Sequence, residues 1–200
     1  MEFVRFIVID GTMFGGKTEA MIGYGRRLQR ARKRVGVFRH VESIRPGEES
    51  ELVSHTKAKL EGVQPIILQN GEEERVYTEG CLYDAVFVEE GHFLRPVIAE
   101  HLHHLYTEGH FVLYCGLRTD FQGRPFEPTL AVLGVAEAEH ETHNAICMLC
   151  FKKHATRNLK LVDGRAAMPD SKRLEAGSEE KYLAACLDCF DVANTIARAQ

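Results

Sequence analysis

Short apolar runs alternate with segments of helical periodicity over the first two-thirds of the chain. No proline occurs between residues 17 and 34, and apolar positions recur there at helical spacing, which predicts a helix with a basic end. The apolar runs have the length of buried strands and lie at residues 3–9, 35–38, 63–68, 84–89 and 111–116. Strands that are apolar throughout and alternate with helices are typical of a parallel sheet covered on both faces. The pattern therefore predicts an α/β fold with a mostly parallel sheet.

Two parts of the chain depart from this alternation. Residues 41–59 are polar and contain Pro46 and Gly47, which predicts a mobile loop with room for a short helix. From about His143 onward, cysteine pairs and clustered polar residues replace the long apolar runs. We therefore expect two domains, an α/β domain at residues 1–140 and a smaller domain at residues 141–200.

The charge and the apolar content of the chain limit the classes of binding partner that we expect. The 200 residues include 25 basic and 29 acidic side chains, for a net charge of −4, so a basic surface for nucleic acid is not expected. No run approaches the roughly 20 apolar residues of a membrane span, and the first residues lack the pattern of a secretory signal. We expect a cytoplasmic protein with a small-molecule or protein partner, and neither nucleic acid nor membrane as a partner.

A phosphate-binding motif follows the first predicted strand. The residues match G-x-x-x-x-G-K-[ST] and lie between a predicted strand and a predicted helix, as the motif requires. Backbone N–H groups of such a loop surround phosphates, the lysine reaches the β- and γ-phosphoryl oxygens, and the last hydroxyl binds Mg²⁺. This predicts ATP binding by Gly11, Thr12, Met13, Phe14, Gly15, Gly16, Lys17 and Thr18.

Two acidic residues, Glu89 and Glu90, follow the fourth predicted strand. A carboxylate at such a strand end can hold Mg²⁺ while its neighbour faces the reacting group. Because successive side chains of a strand point to opposite faces of the sheet, the two glutamates are expected to have different roles unless the strand ends between them.

Four of the six cysteines form two C-x-x-C pairs, Cys147 with Cys150 and Cys186 with Cys189. Four thiolates in two such pairs match a closed tetrahedral zinc site, which is structural; a redox pair is the alternative. Cys81 and Cys115 lack such partners and are expected to be buried small side chains. His101, His103, His104, His140 and His143 are expected on solvated faces.

Several blocks of residues together resemble one known family. They are the P-loop with its Met13-Phe14, residues 88–93 around Glu89-Glu90, residues 116–126 with the sequence Phe-Gln-Gly-Arg-Pro-Phe at their end, and the cysteine region with residues 155–157 and 181–182. In family order, and over most of the chain, they resemble the cytosolic type, or type II, thymidine kinases.

The resemblance implies a RecA-like P-loop domain with a zinc-binding lasso domain, and a homotetramer. It also implies phosphoryl transfer from ATP to the 5′-hydroxyl of thymidine or deoxyuridine, as a step of nucleotide salvage for DNA synthesis. Glu90 would be the general base, Lys17 and Arg45 would assist at the phosphates, and Glu89 with Thr18 would hold Mg²⁺. The nucleoside pocket would consist of Met13, Phe93, Leu117, Phe121, Phe126, Thr156 and Tyr182.

Four residues differ from the usual family pattern. Glu89 and Arg118 each replace an aspartate, His92 replaces a glutamine, and Ser43 replaces the acid of an Asp-x-Arg motif. Two alternatives stay open: a kinase of another nucleoside, and a non-catalytic nucleotide-binding zinc protein.

Overall fold

In the computed structural model, the described residues are 4–44, 51–54, 56–174 and 180–198. Within these ranges, six parallel strands form the main sheet in the order β3-β2-β4-β5-β1-β6. The strands are β1 (Phe6–Gly11), β2 (Val35–His40), β3 (Ile66–Leu68), β4 (Ala85–Glu89), β5 (Phe111–Cys115) and β6 (Glu139–His143). β5 lies between β1, which precedes the P-loop, and β4, which carries Glu89 at its end. This is the RecA-like arrangement, and the predicted α/β fold is confirmed.

Helices cover both faces of the sheet because residues alternate between the faces along each strand. Phe6 and Val8 of β1 pack with one apolar cluster, and Ile7 and Ile9 pack with the other. One face is covered by α1 (Lys17–Arg30), and the other by α2 (Glu74–Gly80), α3 (Ile98–Thr107) and α4 (Glu127–Leu133). Both faces of the central strands are therefore buried, which explains their continuous apolar sequence.

Element boundaries differ from the predicted ones at several places. β1 begins at Phe6 and extends to Gly11, and α1 ends at Arg30, just before Arg32 adopts a left-handed backbone with φ of 59°. The polar loop contains a short 3₁₀ helix at Val41–Ser43. Residues 45–50 and residue 55 of that loop lie outside the described ranges.

The sixth strand was not predicted, because its sequence Glu-His-Glu-Thr-His has no apolar residue. β6 pairs in parallel with β1 at an edge of the sheet, where solvent covers much of the strand. The expected domain boundary, between residues 140 and 141, falls inside this strand. The pairing favours a boundary after His143, and the division into two domains stays a prediction.

The C-terminal part contains a smaller antiparallel sheet. Among the described residues its order is β8-β7-β9, with β7 (Arg157–Val162), β8 (Arg165–Ala166) and β9 (Tyr182–Ala185), and α5 (Leu187–Arg198) follows. Leu159, Ala185 and Phe190 form a small core with the cysteines. Nowhere in the described ranges is a helix both long and apolar enough to cross a membrane.

Candidate active site

The P-loop lies where β1 ends and α1 begins. Gly16, with φ of 84°, caps the N-terminus of α1, a left-handed backbone that glycine adopts without strain. A Cβ atom at Gly11 would lie 1.9 Å from the carbonyl oxygen of His143, so the neighbouring β6 strand also requires glycine there. The result is a loop of backbone N–H groups at a helix N-terminus, which attracts phosphate.

Lys17 and Thr18 are positioned at the start of α1. The Lys17 ammonium group donates a hydrogen bond to the carbonyl oxygen of Thr12 at 2.7 Å and is largely buried. The Thr18 hydroxyl donates to Glu89 Oε1 at 3.2 Å. The hydroxyl and the carboxylate predicted to hold Mg²⁺ are therefore in contact, and both are oxygen donors of the kind that Mg²⁺ prefers.

Arg39 is a site residue that sequence reasoning missed. It is the register partner of Glu89 on the adjacent strand β2, and its Nε donates to Glu89 Oε2 at 3.0 Å in a buried ion pair. The signal that could have revealed it is a charged residue directly after the apolar run at residues 35–38. Burial of Glu89 is possible because Arg39 compensates its charge.

Glu90 lies just beyond the end of β4. Its backbone is left-handed, with φ of 51°, a conformation that costs a non-glycine residue about 1 kcal/mol or more. The next residue, Gly91, packs on the ring of Tyr114, where a Cβ atom would lie 2.2 Å from the ring. The strand therefore ends between the two acids, and the chain turns sharply at Glu90.

The predicted nucleoside-pocket residues come together next to the P-loop. The same cavity is lined by six of them: Met13, Phe93, Leu117, Phe121, Phe126 and Tyr182. Thr156 is exposed and is not among the lining residues that the structure describes. Met13 and Glu90 line both this cavity and the cleft around the P-loop, so the two spaces meet at Glu90.

His92 forms part of the wall of this pocket. It is buried against the rings of Phe93 and Phe126, with centroids 4.7 and 4.8 Å away. Burial, with a smaller effect of Lys17, lowers the pKa of His92 to about 4, although Glu90 acts in the opposite direction. The neutral ring accepts the Leu117 N–H at Nδ1, at 3.2 Å, so its own proton is on Nε2. Since Nδ1 is also the atom 3.3 Å from Glu90 Oε2, neutral His92 donates no hydrogen bond there.

A family model for thymidine kinase matches residues 4–190. The chain belongs to the thymidine kinase family. The predicted family and the predicted enzyme class, a kinase that transfers a phosphoryl group, are thereby confirmed, and phosphorylation of thymidine is the activity of this family. Family membership also decides against a non-catalytic nucleotide-binding protein.

Asn158 of β7 connects three parts of this kinase and was not predicted. Its Oδ1 accepts the Met13 N–H of the P-loop at 2.8 Å, and its Nδ2 donates to the Thr119 carbonyl oxygen at 3.0 Å. The side chain is buried and lines the nucleoside pocket. A single asparagine in a polar stretch gives no sequence signal of this role.

The loop at residues 118–126 is shaped by Asp120. Its carboxylate accepts hydrogen bonds from two backbone N–H groups, those of Gln122 and Arg124, at 2.9 Å each. Arg173 donates to the same carboxylate at 2.7 Å, and its guanidinium lies 5.2 Å from the centre of the Phe126 ring. Asp120 thus holds Phe121 and Phe126 in position.

Arg118 points away from the nucleoside pocket. Its guanidinium forms an ion pair with Asp10, whose side chain is fully buried. His140 of β6 is exposed, as expected, and also contacts Asp10, with Nε2 3.0 Å from Oδ1. The charge reversal at Arg118 is therefore balanced by Asp10 instead of facing the substrate.

The four paired cysteines converge as predicted. The sulfur atoms of Cys147, Cys150, Cys186 and Cys189 all lie within 4.8 Å of one another. The Cys150 and Cys186 sulfurs are 3.9 Å apart, and about 3.8 Å is expected across a tetrahedral zinc site with Zn–S bonds of about 2.3 Å. The donor set therefore fits Zn²⁺.

Three other predicted residues have different outcomes. Cys115 is buried at the end of β5, as expected, whereas the expectation for Cys81 is wrong because its side chain is exposed. Arg45, predicted to act at the phosphates, lies outside the described residues.

Proposed function

We propose that this kinase transfers the γ-phosphoryl group of ATP to the 5′-hydroxyl of thymidine or deoxyuridine, as a step of nucleotide salvage in the cytoplasm. The observation that supports this most is that Glu90 lines both the P-loop cleft and the aromatic pocket. A nucleoside in the pocket and a triphosphate on the P-loop would then meet beside one carboxylate, which is the geometry that in-line transfer needs.

The phosphate side of the reaction is assigned to the P-loop and its neighbours. Backbone N–H groups at the start of α1 and the Lys17 ammonium group bind the phosphates and neutralise their charge. Thr18 and Glu89 are the residues that hold Mg²⁺, which supplies further charge neutralisation when bound. Arg39 fixes the Glu89 carboxylate at 3.0 Å, so the longer side chain of Glu89 is held in one orientation. Arg45 is proposed as a further cation at the phosphates.

The acceptor side of the reaction is assigned to Glu90. Its carboxylate accepts the 5′-hydroxyl proton while the hydroxyl oxygen bonds to the γ-phosphorus and the bond to the ADP oxygen breaks. The turn at Glu90 separates its role from that of Glu89, which stays in the strand.

The nucleoside is proposed to bind between the aromatic side chains of the pocket. Phe93, Phe121 and Phe126 offer apolar faces for the base and the sugar, and Tyr182 comes from the segment between the two cysteine pairs. Thr156 is proposed to lie beside the base, and a structural Zn²⁺ at the four cysteines holds this segment closed. The homotetramer likewise remains a proposal.

The test is phosphoryl transfer from ATP by the Glu90→Gln variant with Mg²⁺ and thymidine. We expect turnover to fall by at least about 10²-fold while ATP binding is retained, since loss of a general base has about this effect. Glu100→Gln, an exposed position on α3, is the matched control and keeps normal turnover.

Near-normal turnover of Glu90→Gln would contradict the assignment of the base. Deoxyuridine, deoxycytidine and deoxyguanosine are run beside thymidine as competing acceptors. Preferential transfer to deoxycytidine or deoxyguanosine would overturn the proposed substrate while leaving the kinase chemistry in place.

A further inference from the structure

A second group of metal-binding side chains lies far from the four paired cysteines. In the described part of the chain, one sulfur, one carboxylate oxygen and one ring nitrogen from Cys81, Glu108 and His110 lie within 4.8 Å of one another. Cys81 directly follows α2, Glu108 directly follows α3, and His110 directly precedes β5. We propose that these three side chains form a second metal site, which takes a borderline-soft divalent cation such as Zn²⁺.

The carboxylate is already held in an orientation suited to a ligand. The Tyr77 hydroxyl donates to Glu108 Oε1 at 2.7 Å, which leaves Oε2 on the side of the thiol. Oε2 lies 3.8 Å from the Cys81 sulfur, and about 3.5 Å is expected between these two atoms around a tetrahedral Zn²⁺. A shift of a few tenths of an ångström brings both atoms to bonding distance of one ion.

The histidine is held by an outer hydrogen bond. His110 Nδ1 lies 2.7 Å from the Tyr83 carbonyl oxygen and therefore donates its proton there. This tautomer leaves the lone pair on Nε2, as in metal-ligating histidines, whose second ring nitrogen usually donates to a carbonyl or carboxylate. Gly109, with φ of 94°, makes the tight turn that brings His110 back toward Glu108.

The surroundings favour a cation of this class. Both α2 and α3 end at the site, and the C-terminal ends of helices carry partial negative charge. A thiolate and an imidazole select Zn²⁺ over Mg²⁺ or Ca²⁺, which prefer oxygen ligands. When the metal binds, the Cys81 thiol releases its proton to solvent and coordinates as the thiolate. A water molecule takes the fourth coordination position of the metal. The metal joins the C-terminal ends of α2 and α3 at the end of the parallel strands opposite the P-loop.

The experiment uses full-length protein whose four-cysteine site is loaded with zinc. The protein is dialysed against buffers of set free Zn²⁺ concentration, and the metal content per chain is measured against that concentration. We expect saturation at about two ions per chain, with the second ion bound more weakly because this site offers only three protein ligands, two of which are exposed. Cys81→Ser and His110→Ala are expected to saturate at about one ion.

A second readout follows the Cys81 thiol itself. Alkylation of Cys81 by iodoacetamide, measured by peptide mass spectrometry, is expected to slow by at least about tenfold with added Zn²⁺, because a metal-bound thiolate is shielded. His103→Gln, at a half-buried histidine of α3, is the matched control and keeps both the second ion and the protection. One ion per chain in the unmodified protein, or alkylation of Cys81 unaffected by Zn²⁺, would overturn the proposal. Phosphoryl transfer is not part of either readout.

Discussion

The burial of His92 has consequences for stability as a function of pH. The ring is enclosed by Phe93 and Phe126, and its Nδ1 accepts the Leu117 N–H, so the folded protein binds a proton at this residue with difficulty. The pKa of His92 is lowered from 6.5 to about 4, mainly by burial. The unfolded chain binds this proton at higher pH than the folded chain, so protonation favours unfolding as pH falls.

We therefore predict that, below pH 6.5, the free energy of unfolding falls more steeply for the unmodified protein than for the His92→Gln variant. The difference in unfolding free energy between the two proteins grows by up to about 3 kcal/mol between pH 7 and pH 4, because each unit by which the pKa is lowered corresponds to about 1.36 kcal/mol. Urea unfolding at several pH values measures it. His103→Gln is the control for loss of a histidine that is only half-buried. Equal pH dependence of the unmodified protein and His92→Gln would contradict the prediction.

Some ion pairs join residues that are distant in the sequence and could not be predicted from it. Arg118 replaces an aspartate beside the pocket, and the sequence gives no reason to pair it with Asp10, which lies 108 positions away. The contact arises because β1 and β5 are adjacent in the sheet, so the ends of both strands meet. Arg39 and Glu89 meet for the same reason, as register partners on β2 and β4.

At the scale of elements, β7 determines how the two sheets are joined. Asn158 lies in the small antiparallel sheet, yet its side chain holds the P-loop through Met13 and the pocket loop through Thr119. The P-loop and the loop of the proposed nucleoside pocket therefore share one buried amide. The exposed strand β6 of the main sheet also supports the P-loop, because the Thr12 N–H donates to the His143 carbonyl oxygen at 3.2 Å.

We predict that Asn158→Ala weakens binding of both substrates. It leaves the Met13 N–H and the Thr119 carbonyl oxygen without this partner, which costs about 1–3 kcal/mol of stability. The KM values for ATP and thymidine should both rise, as steady-state kinetics would show. Asn194→Ala, which removes an amide in α5, is the control; a change in stability without any change in either KM would show that Asn158 has no role in positioning.

At the scale of the whole molecule, the two apolar clusters on either side of the parallel sheet make the α/β part stable without metal. The small sheet has only a few buried side chains around its cysteines, and the segment between the two pairs is 35 residues long. Closing such a segment has an entropic cost that a small core does not offset, so we expect metal ligation at the four cysteines to supply much of the order here.

We predict that the purified protein retains about one tightly bound Zn²⁺ per chain, and that a strong chelator removes it. Removal should raise the KM for thymidine more than that for ATP, because Tyr182 reaches the pocket from the zinc-held segment whereas the P-loop lies in the larger sheet. Elemental analysis and kinetics before and after adding Zn²⁺ back measure both effects. A metal-free preparation with unchanged kinetics would contradict the structural role of the zinc.

The sequence by itself determined the parts of this kinase that depend on local pattern. Apolar runs indicated the buried strands, the glycines and Lys17 indicated the P-loop, and the spacing of the cysteine pairs indicated the four-cysteine cluster. Each of these signals lies within a few adjacent residues. The tertiary structure decided the features that depend on contacts between strands distant in sequence. These features are the polar strand β6, the partners of Glu89 and Arg118, the connecting role of Asn158 and the exposure of Cys81. These contacts join residues tens of positions apart, and only the order of strands in the sheet brings them together.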